Sequence, residues 1–358
     1  MPIKGYDHIE FFVGNAKQAA HFYDKTFGFK PIAKRGLETG CRDRASYVMQ
    51  QGKARFVFTS AYVPDSEINR HCALHGDGVK AIALEVVDAT RSITEAKARG
   101  ATILKPPTAE EDADGTLVTA EIKYAGDTIF RFVERRNYRG VFAPGYQPIQ
   151  AQGSGSVGIA AIDHVVTNVH LGEMNFWVDW YERIMGFTNL CGFTDKDIST
   201  EYSALMSKVM EDGSGKCKFP INEPAEGKKK SQIEEYLDFY HGPGVQHIAM
   251  NTGNIYETVA ELRKREIDFL RVPDTYYEYM RERVGDVGED WDKLHELGIL
   301  IDKDEDGYLL QIFTQPVQDR PTLFYEVIER HGSRGFGIGN FKALFVSIEQ
   351  EQALRGNL

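Results

Sequence analysis

Short stretches with the alternating pattern of strands, each followed by an amphipathic stretch, recur along the chain. Tyr6 to Val13 reads YDHIEFFV and predicts a strand, while the next stretch, through Phe27, has the apolar spacing of a helix. Asn15 suits the N-cap of this helix and Gly28 its C-cap. The pattern therefore predicts a strand followed by a helix at the start of the chain.

The same order of elements returns near the middle of the chain. IDHVVTNV from Ile162 matches the first strand, and an amphipathic stretch from Phe176 to Ile184 matches the first helix. HGDGVKAIALEV from His75 likewise matches HGPGVQHIAMNT from His241, and each is followed by a helical pattern. Two blocks repeated in one order indicate that the chain consists of two related halves.

A segment rich in glycine, proline, glutamine and serine separates the halves. Residues 141–158 have the composition of a linker, which predicts one domain over residues 1–140 and another over 159–358. GSGSVG from Gly153 fits a dinucleotide-binding pattern, but a strand follows it instead of a helix, which argues against a nucleotide. The predicted class is α+β, with each half built of strand, helix and further strands.

Composition narrows the possible partners to small molecules. The net charge is -11 and no long basic run is present apart from Lys228 to Lys230, which argues against nucleic acid and anionic membranes. The four cysteines show no CxxC spacing, as expected of free thiols in a reducing cytoplasm. No signal-peptide pattern or membrane-length apolar run is present, so we expect a cytoplasmic protein.

Comparison of the halves singles out three polar residues. His247 lies in the apolar strand GVQHIAM, where alternation puts it and Gln246 on opposite faces, and Glu326 lies within the apolar LFYEVI. Only the second half has the full set of two imidazoles and one carboxylate. With their first-half counterparts in parentheses, they are His164 (His8), His247 (Ala81) and Glu326 (Arg131).

Burial of Glu326 calls for a cation beside it. An unpaired buried carboxylate costs several kcal/mol, and a metal held by two imidazoles would neutralise it. Two histidines and a carboxylate on separate strands form the facial arrangement that leaves open positions on ferrous iron, although the same residue types also bind zinc in hydrolases. The alternative is that Glu326 pairs with a buried arginine and that the histidines are core residues.

Seven motifs follow one another along the second half. They are IDH at Ile162, PINEP at Pro220, KSQI at Lys230, GVQHIA at Gly244, LLQIF at Leu309, FYEVIERHG at Phe324 and GFGIGNFKALF at Gly335. In this order they resemble the 4-hydroxyphenylpyruvate dioxygenase family of the vicinal-oxygen-chelate superfamily. The resemblance implies two tandem domains of paired, glyoxalase-like βαβββ modules, with a C-terminal helix as a lid.

The resemblance also implies the residues of the site. His164, His247 and Glu326 would hold Fe(II), and the 2-oxo acid of the substrate would chelate it. The implied catalytic polar residues are Ser203, Asn222, Gln232, Gln246 and Gln311. The implied substrate-binding residues are Phe313, Phe324, Phe336, Asn340 and Phe341. Ile338 replaces a residue that is usually charged in the family, and we expect it to affect lid closure and not the chemistry.

The implied reaction converts 4-hydroxyphenylpyruvate and O2 to homogentisate and CO2, in tyrosine and phenylalanine breakdown. Three alternatives stay open: a 4-hydroxymandelate synthase, an extradiol ring-cleaving dioxygenase and a metal-free ligand-binding protein. The complete ligand set argues against the last, and the motifs after Gln311 argue against the second. A homo-oligomer, a dimer or tetramer, is expected because the apolar first half lacks a complete ligand set and suits a structural role.

Overall fold

The computed structural model describes residues 1–194, 204–225 and 227–357, without the side chains of residues 338 and 342. The first half contains two βαβββ modules and a connecting helix. Its first module comprises β1 (Ile3–Phe12), α1 (Ala16–Lys25), β2 (Lys30–Arg35), β3 (Arg44–Gln51) and β4 (Ala54–Ala61). After α2 (Glu67–His75) come β5 (Gly78–Val86), α3 (Ala89–Ala98), β6 (Ile103–Asp112), β7 (Gly115–Lys123), β8 (Ile129–Glu134) and the short β9 (Gln147–Pro148).

The second half repeats this plan with additional helices. Its first module comprises β10 (Ile159–Asn168), α4 (Met174–Trp180), β11 (Thr188–Phe193), β12 (Ala204–Glu211) and β13 (Lys218–Ala225), followed by α5 (Gln232–Tyr240). Its second module comprises β14 (Gly244–Thr252), α6 (Ile255–Lys264), α7 (Asp274–Val284), α8 (Trp291–Leu297), β15 (Leu300–Lys303), β16 (Tyr308–Phe313) and β17 (Phe324–His331). The described chain closes with α9 (Ile338–Leu354).

Each half forms one mixed sheet. The strand order is β6-β7-β8-β5-β1-β4-β3-β2-β9 in the first sheet and β11-β12-β13-β10-β14-β17-β16-β15 in the second. Within every module the first and last strands pair in parallel, and the two modules of a half join through the antiparallel pairs β1/β5 and β10/β14. The α+β class and the paired modules are therefore confirmed.

The first helix begins where the sequence predicts but ends earlier. The Asn15 side chain accepts a hydrogen bond from the backbone N–H of Gln18 at 3.1 Å, as an N-cap does. The predicted C-cap, Gly28, is wrong, because the helix ends at Lys25 and Thr26 caps it. Gly28 instead has φ +71°, and a side chain there would overlap the backbone carbonyl of Gly155.

The two halves share apolar contacts across their boundary. The hydroxyls of Tyr23 and Tyr325 are 2.6 Å apart, and one cluster of buried apolar residues continues from the first half into the second. The Gln51 side-chain oxygen accepts hydrogen bonds from the backbone N–H groups of Val157 and Ile159 at 2.8 and 3.1 Å. The connecting segment is thereby held against β3, while the domain bounds stay a prediction.

Two findings concern the expected environment of the protein. Among the described residues, no helix is both long and apolar enough to cross a membrane. The four cysteines are unpaired, as their spacing predicts.

Candidate functional site

Three neighbouring strands bring the predicted metal ligands together. In the second sheet, β14 lies between β10 and β17, and the register pairs Ala249 with both His164 and Glu326. The Glu326 Oε2 atom lies 3.1 Å from His164 Nε2 and 3.4 Å from His247 Nε2. All three side chains are buried, and their ligand atoms lie within 4.8 Å of one another. This arrangement fits one metal ion bound by two imidazoles and a carboxylate.

A β-bulge lets two adjacent residues of β14 face the same cavity. Val166 pairs with His247 while the next residue, Thr167, pairs with Val245, so Gln246 is an extra residue in the ladder. The cavity lining includes both Gln246 and His247. The expected alternation of these two side chains is therefore wrong, because the bulge redirects one of them. An equivalent register shift occurs between β1 and β5.

A second layer of polar groups orients the histidines. His164 Nδ1 donates to Asp163 Oδ1 at 2.8 Å, and His247 Nδ1 donates to Gln246 Oε1 at 2.9 Å. Arg330 holds Asp163 through two N–H donors, each at 2.8 Å. Because these oxygens accept at Nδ1, each neutral ring presents the lone pair of Nε2 towards Glu326. The rings are thus set to bind a metal through Nε2.

The charge states of the site also suit a metal. Burial opposes ionisation of Glu326, but His164 and His247 outweigh it and hold its pKa at about 2. Burial lowers the pKa of His247. Burial acts in the same direction on His164, but Glu326 and Asp163 outweigh it and raise the His164 pKa, so a metal ion bound at Nε2 would take the place of a proton there. Burial also opposes ionisation of Asp163, but Arg330 and His164 outweigh it, and the Asp163 pKa lies well below its usual value. An ionised carboxylate and a neutral imidazole are the forms that bind metals.

The interpretation of Glu326 as the partner of a buried arginine finds no support in its contacts. Among the described residues, its ion-pair contacts are with His164 and His247. The buried arginine nearby, Arg330, pairs with Asp163. Arginine thus acts one layer behind the ligands, where it fixes the carboxylate that orients His164.

Asp163→Asn is expected to lower the affinity of the candidate site for a metal ion about 10- to 100-fold, the usual effect of losing a residue that supports a ligand. The amide loses the charge that pairs with Arg330, and its NH2 group can face His164 Nδ1 and disfavour the required tautomer. Competition with a chelator measures the affinity. The matched control is Asp7→Asn, because Asp7 bonds His8 in the first half in the same way at 2.5 Å. Equal loss in both variants contradicts the assigned role.

The corresponding position in the first half holds an arginine. The register places Ala81 and Arg131 where the second half has a histidine and a glutamate. Arg131 Nη1 lies 3.3 Å from His8 Nε2 and 2.6 Å from Glu10, and its Nε is 2.7 Å from Glu121. The Arg131 guanidinium therefore supplies the positive charge that the carboxylates at this place need, so no metal ion is required there.

One cavity collects most of the predicted site residues. Its lining includes the three candidate ligands, the amide residues Asn222, Gln232, Gln246 and Gln311, and the phenyl rings Phe313, Phe324, Phe336 and Phe341. Phe324 stacks on the His247 ring at 4.8 Å between centroids, and Phe336 meets the His164 ring edge-on at 5.1 Å. The aromatic walls therefore begin directly beside the candidate metal ligands.

Two predicted residues are placed differently. Ser203 lies outside the described residues. Asn340 is buried but is not part of the cavity lining, and its side-chain oxygen accepts a hydrogen bond from the Tyr276 hydroxyl at 2.5 Å. Its position supports the start of α9 behind the cavity, so a direct contact with substrate stays a prediction.

Ser207, a buried polar residue in the cavity wall, was not predicted from the sequence. It lies on β12 opposite Asn222 of β13, with Leu205 and Val209 on the same face. The alternation of β12 offered a weak signal, but pairing with Asn222 is visible only in the folded sheet. The support of His164 by Asp163 was also missed, although Asp163 lies within the IDH motif.

The sequence matches known proteins along almost its whole length. Residues 5–122 and 161–312 match the model of the Glyoxalase/Bleomycin resistance protein/Dioxygenase superfamily. Proteins named 4-hydroxyphenylpyruvate dioxygenase from Danio rerio and Caenorhabditis elegans are 50% and 49% identical to the chain. The alignments cover 99% of this chain and 92% and 93% of the two relatives, respectively.

Solved structures show the same architecture. A triple mutant of 4-hydroxymandelate synthase from Streptomyces coelicolor superposes with a TM-score of 0.88 at 30% identity, covering 98% of this chain and all of the other. A Mn(II)-bound glyoxalase from Novosphingobium aromaticivorans superposes with a TM-score of 0.51 at 11% identity. The superposition covers 92% of this chain and 82% of the glyoxalase, and it shows a shared fold alone. The chain belongs to the glyoxalase and dioxygenase superfamily and, within it, to the 4-hydroxyphenylpyruvate dioxygenase family.

Proposed function

We propose that the chain converts 4-hydroxyphenylpyruvate and O2 to homogentisate and CO2, a step of tyrosine and phenylalanine breakdown. The observation that carries this proposal is sequence identity. About half of all positions are identical to those of proteins named 4-hydroxyphenylpyruvate dioxygenase, over nearly the full length of both chains. The candidate ligand set and the aromatic cavity beside it support the proposal.

The cofactor we propose is Fe(II), held by His164, His247 and Glu326. In support, the donor set combines two imidazoles with one ionised carboxylate, and all three line the cavity from which a substrate would approach. Bound iron would supply the redox chemistry with dioxygen. The protein's own task is to present three ligands on one side and to leave the cavity side for substrate.

The cavity walls would hold the substrate ring and its polar ends. Phe313 and Phe324 provide flat apolar surfaces next to His247, which suits an aromatic ring. Gln311 lines the cavity, and its buried Oε1 has no hydrogen-bond partner among the described residues, so it would accept a hydrogen bond from a phenol hydroxyl. Asn222 and Gln232 line the same cavity and offer further amide donors. The α9 helix adds Phe341 and would exclude water.

The proposed function is tested by loading the chain with Fe(II) without oxygen, adding 4-hydroxyphenylpyruvate and admitting air. We expect homogentisate and CO2, identified by chromatography and mass. Hydroxymandelate as the main product would assign the chain to the synthase reaction. A ring-opened product would assign it to extradiol cleavage, and bound substrate without turnover would leave only a binding role.

Phe341 is proposed to select ring hydroxylation over attack at the benzylic carbon. Its ring meets Phe193 edge-on at 5.0 Å between centroids and lines the same cavity as the candidate ligands. Positions matching Asn222 and Phe341 tend to be aliphatic in the synthase branch, as the family resemblance implies. A phenyl ring at 341 would press the substrate ring towards the metal, whereas a smaller side chain would let it shift.

Phe341→Ile is therefore expected to add hydroxymandelate to the products. A difference of about 1.4 kcal/mol between two competing barriers changes a product ratio about tenfold, so one side chain is sufficient for a visible change. The product ratio is measured by chromatography at complete conversion. An unchanged ratio contradicts the role of this ring and leaves the proposed reaction intact.

The expected cytoplasmic location and the dimer or tetramer stay predictions. Sedimentation of the metal-loaded chain measures its mass in solution. A monomer at micromolar concentration contradicts the expected oligomer.

A further inference from the structure

A second cluster of metal-binding side chains lies in the first half, outside the site described above. The α2 helix carries His71 and His75 four residues apart, which places both rings on one face. Asp127 comes from the turn between β7 and β8. Its Oδ2 atom lies 3.3 Å from His75 Nε2 and 3.5 Å from His71 Nδ1, and the three ligand atoms lie within 4.8 Å of one another.

The hydrogen bond of His75 Nδ1 determines which ring nitrogen of this histidine can bind a metal ion. His75 Nδ1 contacts the backbone carbonyl of Tyr240, which can only accept a proton, so Nδ1 carries the hydrogen. In a neutral ring, Nε2 then faces the Asp127 carboxylate with its lone pair. Two acceptors at 3.3 Å repel each other unless a proton or a metal ion lies between them.

His71 is buried and has no hydrogen-bond partner at either ring nitrogen among the described residues. Its Nε2 packs against Gly78, where a side-chain carbon would lie at 3.2 Å, while Nδ1 points towards Asp127. Burial lowers the pKa of His71, which favours the neutral, metal-binding form. A buried imidazole without a hydrogen bond is costly, and an ion between Nδ1 and the Asp127 carboxylate would bind both groups.

The nearest lysine does not supply that cation. Lys80 Nζ lies 2.7 Å from Glu67 Oε1 and donates to the backbone carbonyl of Asp127 at 2.9 Å. It is therefore engaged by other oxygens and not by the carboxylate that faces the histidines. The Asp127 side chain is 46% exposed, so an ion can reach the cluster from solvent.

We propose that His71, His75 and Asp127 bind one divalent ion of the zinc type, with solvent completing its coordination. Two imidazoles and a carboxylate are a common ligand set for zinc. Because the Tyr240 carbonyl at the end of α5 supports the ligand His75, the ion would also brace the contact between the two halves.

The test compares the metal-stripped chain with its Asp127→Asn variant in zinc. Both are dialysed at a series of free zinc concentrations, from below the dissociation constant of the parent chain upwards, and zinc per chain and the unfolding midpoint are compared at the lowest concentration that fills the parent cluster. We expect the variant to bind one zinc fewer and to lose part of the zinc-dependent rise in the midpoint. Asp127→Asn is used because its side chain is half exposed and the amide keeps its shape.

His71→Gln is expected to behave like Asp127→Asn, and His21→Gln, which changes an exposed histidine of α1, is expected to behave like the parent chain. The ligands of the candidate iron site are unchanged in all three variants, so any zinc bound there cancels in the difference. Equal zinc content in the parent and in folded Asp127→Asn overturns the proposal. A midpoint that responds to pH through this cluster but not to zinc shows that protons alone neutralise it, and overturns the proposal as well.

Discussion

Glu326→Ala is expected to abolish turnover and to remove iron from the second half of the chain. The substitution deletes the one anionic ligand of the proposed set and leaves the two imidazoles of His164 and His247. The loss of iron affinity should exceed about 100-fold, which is the upper end of the effect of losing a residue that only supports a ligand. Iron per chain after gel filtration and homogentisate formed per minute are the two measurements.

Glu305→Ala is the control for this experiment, since it removes the same charge from an exposed turn of the same half. It should keep both iron and activity. We further expect the native chain to retain one iron at the second-half site, because Arg131 repels a cation from the corresponding place in the first half. Full iron retention in Glu326→Ala contradicts the assignment. If Asp127→Asn removes the iron that is retained, that iron belongs to the cluster of His71, His75 and Asp127.

Removal of residues 335–358 is expected to leave a folded chain that binds iron and consumes oxygen but forms no homogentisate. The segment supplies four residues to the cavity wall, Phe336, Phe341, Leu344 and Phe345. Without them the candidate metal ligands face solvent, and water and reductants reach the site. Oxygen uptake compared with homogentisate formed measures the loss of coupling. Normal turnover and coupling in the truncated chain contradict the role of the segment as a lid.

A single substitution tests the lid without removing its apolar surface. Gly337 has φ +73° at the start of α9, and a side chain there would overlap the amide of Gln311. Gly337→Ala should therefore displace the start of the helix and lower coupling, by less than the truncation does. Circular dichroism and iron content verify that both variants are folded. Retained coupling in Gly337→Ala means that the helix tolerates displacement at this end.

The glycines of this segment allow close packing at the start of α9. A side chain at Gly339 would overlap the guanidinium of Arg283, which pairs with Asp302 at 3.2 Å. Asp302 also accepts a hydrogen bond from the Gly339 N–H at 2.8 Å. The start of α9 thus packs closely on β15, and glycine is required there for space. The effect expected of Ile338 on lid closure stays a prediction, since its side chain lies outside the described part of the chain.

The sequence alone determined the plan of the fold and the identity of the candidate ligands. Apolar patterning and the repeat predicted two related halves of strand, helix and further strands, because an element that buries one face must repeat its apolar residues at the period of a strand or helix. The paired modules followed from the family resemblance. The comparison of the halves identified Glu326, because a carboxylate in an apolar strand is costly unless it is paired. That signal is chemical and local, so no coordinates were required to find it.

Tertiary structure alone decided how these residues are aimed and supported. The bulge that turns Gln246 towards the cavity depends on the register between β10 and β14, which a single strand does not specify. The Arg330 contact with Asp163 joins residues 167 positions apart, and the position of Ser207 follows from pairing of β12 with β13. The cluster on α2 likewise needs Asp127 from a turn 52 residues beyond His75. Residue identity sets which atoms can bind, whereas strand pairing and loop closure set which of them meet.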